Sequence, residues 1–163
     1  VITRLFNTYG PREQSEGRRA EVIPKFVLRT LAGQPSVIFG NGSQTRDFTF
    51  VDDIVNGIVM AAQCDDAVGE AVNLAHGEDV SVSRILDLVL SKLGRKDLQP
   101  VFLHEGRPAD IDKMVADVTK AKNMFGYNAA IDIEEGLDKY ISWIENQPIN
   151  ITDWWAQEQT KNW

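Results

Sequence analysis

Ile38-Phe39-Gly40-Asn41-Gly42-Ser43-Gln44-Thr45-Arg46-Asp47-Phe48-Thr49-Phe50-Val51-Asp52-Asp53 is the stretch on which the reading of this chain turns. It begins in an apolar strand, residues 37–39, crosses a glycine-rich turn and enters a second apolar strand, residues 48–51. Asp52 stands where a helix N-cap belongs. Ile54, Val55, Ile58, Val59 and Ala62 then recur at the spacing of one buried helical face. The Gly40-Asn41-Gly42 pair invites comparison with a dinucleotide fingerprint, which needs a third glycine three residues on and a helix after the turn. Thr45 holds that position and a strand follows, so the match fails. Two readings stay open for Gly40, Asn41, Gly42, Ser43 and Gln44. One is a tight turn with Asn-Gly at its centre. The other is a turn that sets backbone amides and Arg46 against a ligand.

The same alternation extends in both directions. Residues 1–6 are a short apolar strand running into Asn7-Thr8-Tyr9-Gly10-Pro11, a loop by composition. Residues 21–32 carry Ile23, Phe26, Val27, Thr30 and Leu31 on one helical stripe, with Pro24 in the first turn, where a missing N–H costs nothing. Downstream, residues 71–75 read as a buried strand. Ser81 or Ser83 caps a helix bearing Ile85, Leu86, Val89 and Leu93 and stopped by Gly94. Residues 101–103 form a further strand. Asp117 or Thr119 opens a short helix ended by Gly126. Asp132 with Glu135 three positions on forms a capping box for a helix with Leu137, Tyr140, Ile141 and Ile144 on one face. Strands alternate with helices, so the class is α/β. The loop at residues 12–19 is the natural domain seam.

Composition bounds what such a chain does. The 163 residues are 43% hydrophobic and 25% charged, the mix of a globular protein. A formal net charge of −7 disfavours bulk attraction to nucleic acid or anionic lipid, although 17 Lys and Arg can still build a local cationic pocket. No apolar run approaches the ~20 residues of a membrane-spanning helix. The single cysteine, Cys64, rules out an internal disulfide and fits a reducing compartment, so a cytoplasmic location is expected. Two histidines and one cysteine leave little for a zinc site. The chain opens at Val1 in mid-strand, which reads as a fragment of something longer.

Several residues each carry two readings. Arg46, at a strand start, is either a surface ion-pair residue or a fork for phosphate oxygens, which guanidinium binds bidentately. Arg107, beside the stiffening Pro108, invites the same pair. Asn7 ends a strand, where parallel sheets gather ligands, or else only initiates a turn. His76, His104 and Glu105 read as structural or solvated. No tyrosine is followed by a lysine four residues on, and there is no nucleophile elbow. By its own residues the chain is a ligand-binding α/β piece with no catalytic centre.

Taken together, several segments resemble the C-terminal half of the extended short-chain dehydrogenases/reductases that act on nucleotide sugars. They are residues 4–12 (Arg-Leu-Phe-Asn-Thr-Tyr-Gly-Pro-Arg), 22–26 (Val-Ile-Pro-Lys-Phe), the stretch from Ile38 to Asp53, 107–110 (Arg-Pro-Ala-Asp) and 116–122 (Ala-Asp-Val-Thr-Lys-Ala-Lys) with Phe125-Gly126-Tyr127. Their order and spacing match as far as about Asn146. The family includes UDP-glucose 4-epimerases, UDP-glucuronate decarboxylases and nucleotide-sugar 4,6-dehydratases.

The resemblance implies the C-terminal part of a Rossmann-type parallel sheet plus a small α/β substrate-binding lobe. The strands within residues 1–11 and 71–75 would belong to the Rossmann sheet and lie parallel as neighbours. The NAD-binding N-terminal domain, with the glycine fingerprint and the acid/base tyrosine, would be absent from this chain. It implies a nucleotide-diphosphate sugar as substrate, NAD as hydride carrier acting most often at sugar C4, and a homodimer when full length. Carried over, Asn7 would touch the diphosphate, and Arg46 and Arg107 would clamp it. Ile23, Lys25 and Phe26 would form part of the substrate wall. Gly40, Asn41, Gly42, Ser43 and Gln44 would close over the nucleobase or ribose. Thr8, Tyr9 and Pro11 would lie beside the nicotinamide, and Arg18 or Arg19 would reach NAD. A binding module without catalysis and a purely structural fragment are the competing readings.

Overall fold

The computed structural model describes residues 1–17, 20–103 and 110–158. It divides into two compact units, each woven from three segments: residues 1–10, 45–80 and 113–136, and residues 11–44, 81–112 and 137–163. The chain first changes unit at Gly10–Pro11, just ahead of the expected seam. The four later crossings have no compositional signal.

In the first unit β1 (Ile2–Leu5) pairs in parallel with β6 (Ala71–Leu74), Ile2 opposite Ala71 and Leu5 opposite Leu74. The expected parallel neighbours are therefore found. β2 (Thr8–Tyr9) runs parallel to β5 (Thr49–Phe50), and β4 (Thr45–Arg46) parallel to β9 (Lys113–Met114). The helix α2 (Val51–Gln63) and α4 (Thr119–Phe125) pack on this framework. Their core is Ile54, Val72, Leu74, Ala121 and Tyr127, with Val118, Met124, Phe125 and Ala129 against it. Gly57 lets α2 approach that core: a Cβ there would stand 2.7 Å from the Tyr127 ring and 2.9 Å from Leu74. Thr119 N–H donates to Asp117 Oδ1 at 2.9 Å at the start of α4, and Gly126, at φ 73°, ends it.

Two expectations about α2 are corrected. Asp52 is no cap: the N-cap position is Phe50 and no side chain bonds there. The buried face is Asp53, Ile54, Gly57 and Ala61, whereas Val55, Ile58, Val59 and Ala62 are exposed. The apolar stripe read from the sequence is real, but no described residue covers it. Ile2 at 64% and Leu5 at 48% exposure leave β1 open in the same way.

In the second unit α1 (Val22–Leu31) buries Ile23, Phe26, Val27 and Leu28 and packs on α3 (Val82–Lys92), which buries Ile85, Leu86 and Val89. Ser81 caps α3 by accepting the Arg84 N–H at 3.1 Å. β3 (Val37–Phe39) pairs in parallel with β8 (Val101–Leu103), so residues 37–51 form no hairpin. The second apolar run is also shorter than expected, because Val51 already belongs to α2 and Phe48 to neither strand. Leu137, Tyr140, Ile141 and Ile144 of α5 (Ile133–Glu145) are buried as their spacing predicts. The helix α6 (Ile151–Gln157) is a tail element that the sequence pattern did not reveal. Asn150 caps it, accepting from the Thr152 and Asp153 N–H groups.

Candidate functional site

The first unit gathers chemistry at the carboxyl end of β1. Asn7 closes the strand with φ 29°, in the left-handed region that Asn tolerates better than other L-residues. Its carbonyl accepts the Thr49 N–H at 3.3 Å. Its Nδ2 donates to the Asp47 carbonyl at 3.2 Å and lies 4.0 Å from Met114 Sδ. Met114 is the strand partner of Arg46, and the Asp47 N–H donates to the Met114 carbonyl at 2.9 Å. Two residues 39 positions apart in sequence, Asn7 and Arg46, are thus tied to the same short pairing. The half-buried Arg46 donates one guanidinium N–H to its neighbour Thr45 O at 2.7 Å, one of the five such groups that an arginine carries.

Asp47 was passed over by sequence reasoning and proves central. Its side chain is fully buried. Oδ1 accepts the His76 N–H at 3.0 Å and the Thr49 hydroxyl at 3.4 Å. Oδ2 accepts the Gly77 and Ala116 N–H groups, each at 3.1 Å. The His76 contacts are made by its backbone N–H. No signal in the sequence distinguishes this aspartate from Asp52 or Asp53. Asp53 is itself a clasp, accepting the Ala130 and Ile131 N–H groups at 3.1 and 3.0 Å.

Of the residues expected beside a nicotinamide, Thr8 and Pro11 are half-buried. Tyr9 is 2% exposed, edge-to-face with Phe50 at 5.5 Å and Phe48 at 6.4 Å, and its ring fills space that a Cβ on Gly136 would need. The Tyr9 ring is a core element. The sequence has no Gly-x-x-Gly-x-x-Gly turn to hold a pyrophosphate. The Tyr127 phenol is pushed far above its ordinary range, by burial first and then by the charges of Asp53 and Asp47. Burial, then the charge of Glu13, does the same to Tyr140. Both remain protonated near neutrality, the opposite of an activated acid/base tyrosine.

The second unit holds the remaining candidates. Ser43 donates through its N–H and its hydroxyl to Asn41 Oδ1, at 3.0 and 2.7 Å, and Gln44 Nε2 donates to Phe39 O at 3.0 Å. Gly40 and Gly42 have φ 71° and 77°, and a Cβ on Gly42 would strike the Ser83 hydroxyl. The turn is thus a self-bonded Asx turn docked on the start of α3, with Asn41 and Ser43 exposed. Ile23 and Phe26 are 1% and 2% exposed, so they support α1 from inside. Lys25 Nζ lies 3.9 Å from Glu158, which also pairs with Arg29 at 3.0 Å. A cleft of about 290 Å³ is lined in part by Ser15, Lys25, Asn150, Trp154 and Glu158. Arg107, Arg18, Arg19, His104 and Glu105 lie outside the described residues.

Parallel strands with helices between them, and polar residues gathered at a strand's carboxyl end, define part of a Rossmann-type α/β protein. The family model described as GDP-mannose 4,6 dehydratase matches residues 1–140, and the chain belongs to that family of nucleotide-sugar epimerases, dehydratases and decarboxylases. It is 31% identical over 146 residues to a putative UDP-glucose 4-epimerase of Methanocaldococcus jannaschii, spanning 90% of this chain and 46% of that one. It is 33% identical over 147 residues to UDP-glucuronic acid decarboxylase 1 of Xenopus tropicalis, spanning 90% of this chain and 33% of the relative. The structure of UDP-glucuronic acid 4-epimerase from Bacillus cereus, in complex with UDP-glucuronic acid and NAD, superposes with a TM-score of 0.81 at 30% identity. That match covers 89% of this chain and 45% of the epimerase. The chain thus spans less than half the length of these relatives. Among the described residues no helix is long and apolar enough to cross a membrane, and no cluster of metal-binding side chains occurs.

Proposed function

We propose that this chain is the C-terminal, substrate-binding portion of an NAD-dependent nucleotide-sugar epimerase, dehydratase or decarboxylase, in which hydride leaves and returns to the sugar, most often at C4. The observation that carries it is the junction at the end of β1, where the Asp47 peptide fixes Asn7 and directly follows Arg46. There Asn7 and Arg46 are assigned to the diphosphate. Arg107 is assigned to the same group on its sequence context. Gly40, Asn41, Gly42, Ser43 and Gln44 are assigned to the nucleoside, with Lys25 in the substrate wall and Ile23 and Phe26 packed behind it. NAD, when bound, supplies the hydride acceptor and donor, with Thr8 and Pro11 assigned beside its nicotinamide end and the buried Tyr9 supporting Thr8 from inside. The residues that hold the rest of it are assigned to the portion of the relatives that this chain does not span. The 163 residues alone are therefore inactive, and the whole protein is a cytoplasmic homodimer.

Calorimetric titration with UDP tests this reading in the intact protein. Arg46→Ala weakens binding by ~1.5–3 kcal/mol, the scale of a charge-assisted hydrogen bond. NAD retention stays unchanged. Arg46→Lys recovers part of the loss, because an ammonium keeps the charge but not the planar fork. UDP affinity unchanged in both Arg46→Ala and Arg107→Ala returns these residues to surface arginines. Turnover by a sample verified by mass as these 163 residues would refute the assignment of catalysis to another portion.

A further inference from the structure

A fully buried carboxylate next to a site for an anion is a liability unless its charge is consumed locally. Asp47 meets that condition. Its two oxygens take four hydrogen bonds, from the N–H groups of His76, Gly77 and Ala116 and from the Thr49 hydroxyl. Thr49 Oγ1 in turn accepts the His76 N–H at 2.9 Å, so hydroxyl and carboxylate hold the same peptide. The three N–H donors come from the turn after β6 and the segment after β9, 29 to 69 residues from Asp47 in sequence. The backbone of the same residue carries the other half of the junction: its N–H is held by Met114 O and its carbonyl holds the Asn7 carboxamide. Four segments of the unit therefore converge on one amino acid that follows Arg46 directly.

We propose that Asp47 is the positioning residue of the diphosphate end of the substrate site, fixing the orientation of the Asn7 carboxamide and the Arg46 side chain through its own peptide. The carboxylate does not touch the ligand. It pins the 76–77 turn and residue 116, and with side chain and N–H both held, the two peptides that flank Asp47 are fixed, the one before it joining Arg46 and the one after it holding the Asn7 carboxamide. This inference rests on the assignment of Asn7 and Arg46 to the diphosphate.

The test compares UDP with uridine, two ligands that differ only at the diphosphate, by calorimetry on the intact protein. Asp47→Asn keeps the size of the side chain but turns an NH2 group towards one pair of the four donors. UDP affinity falls on the order of 10-fold, as for an anchoring group displaced by less than an ångström, and uridine affinity holds within about 2-fold. Thr49→Val is nearly isosteric and folds where Asp47→Asn does not. It lowers the UDP-to-uridine affinity ratio in the same direction by a smaller factor, and Thr49→Ser, which keeps the hydroxyl, restores it. A purely structural role lowers thermal stability in these variants but leaves the ratio alone. A wild-type ratio in folded Asp47→Asn, or in Thr49→Val, overturns the proposal. A wild-type protein that binds neither ligand overturns the underlying assignment instead.

Discussion

The two units bury their apolar residues in different ways. In the second, α1 and α3 face each other and Ile23, Val27, Leu28, Ile85, Leu86 and Val89 are all nearly or wholly buried. Among its described residues the exposed large apolar side chains are Val101 and Phe102 of β8 and Ile111. In the first unit the inner faces of β6, α2 and α4 make a real core, yet Ile2, Leu5, Val55, Ile58 and Val59 remain 39–64% exposed. A parallel sheet is ordinarily covered on both faces, and two strands are too few to stand alone. The contrast teaches that a helix can carry the right apolar period without a partner among the described residues. The second unit closes its core with its own residues. The first is built as the margin of a larger sheet, in keeping with relatives more than twice as long.

The sharpest way to break this contrast is a pair of equivalent truncations. Ile85→Ala, in the closed core, costs ~2–5 kcal/mol in chemical denaturation. Ile58→Ala, on the open face of α2, stays within ~0.5 kcal/mol in the 163-residue chain, as surface substitutions do. Equal losses would erase the distinction between the units.

Gly57→Ala sharpens the same comparison on the buried side of α2. On an exposed helical surface this change stabilises by up to ~1 kcal/mol. Here the new methyl meets the Tyr127 ring and Leu74, so overpacking costs ~1–3 kcal/mol and the sign reverses. A gain in melting temperature would show that this core is looser than described.

The open face also has a consequence for association. Light scattering should find the 163-residue chain above its 18.3 kDa monomer mass at high concentration, because an open edge beside an apolar face recruits copies. Ile58→Lys shifts the sample towards monomer. A wild-type chain that stays monomeric contradicts the reading of β1 and α2 as an unfinished surface.

The smallest expected effect is acid fraying of α4. The Thr119 hydrogen bonds hold the Asp117 carboxyl below its ordinary value of 3.8. The folded state then binds fewer protons than the unfolded one, so the stabilisation is complete above that value and is lost as pH falls through the depressed folded one. The protection of amides at the start of α4, taken relative to the exchange rate of an unstructured chain at the same pH, should fall below about pH 4, where an ordinary aspartate takes up its proton, and Asp117→Asn should remove that fall. Protection independent of pH in the wild type would deny the Asp117–Thr119 hydrogen bond its part in holding the start of α4.

Local signals in the sequence placed most elements. Pro24 and Gly33 bracket α1, Ser81 caps α3, Gly126 ends α4, and Asp132 accepts the Glu135 N–H at 2.8 Å as the capping box requires. Each depends on one residue's backbone preference or on a hydrogen bond spanning a few positions. The parallel pairing of β1 with β6 followed from the family resemblance. The sequence also indicated Arg46 and Asn7 as candidates, because a guanidinium at a strand start and an amide at a strand end have limited uses.

Other features had no local trace. The apolar stripe of α2 fixes a helix but not which of its faces finds a partner, so Val55, Ile58 and Val59 were misread as buried. Strand pairing had no local trace either: residues 37–39 read as a strand, but their partner β8 lies some 64 residues on. The roles of Asp47 and Asp53 arise only when backbone N–H groups distant in sequence are folded onto a buried carboxylate. Local residue chemistry accounts for Ser81, Gly126 and Asp132 at their helix ends, for the glycine turns and the α/β alternation, and for the choice of candidates suited to a phosphate. Tertiary structure alone decided which aspartates became clasps and which apolar face stayed open, because burial and long-range hydrogen bonding depend on what the rest of the chain brings to the same place.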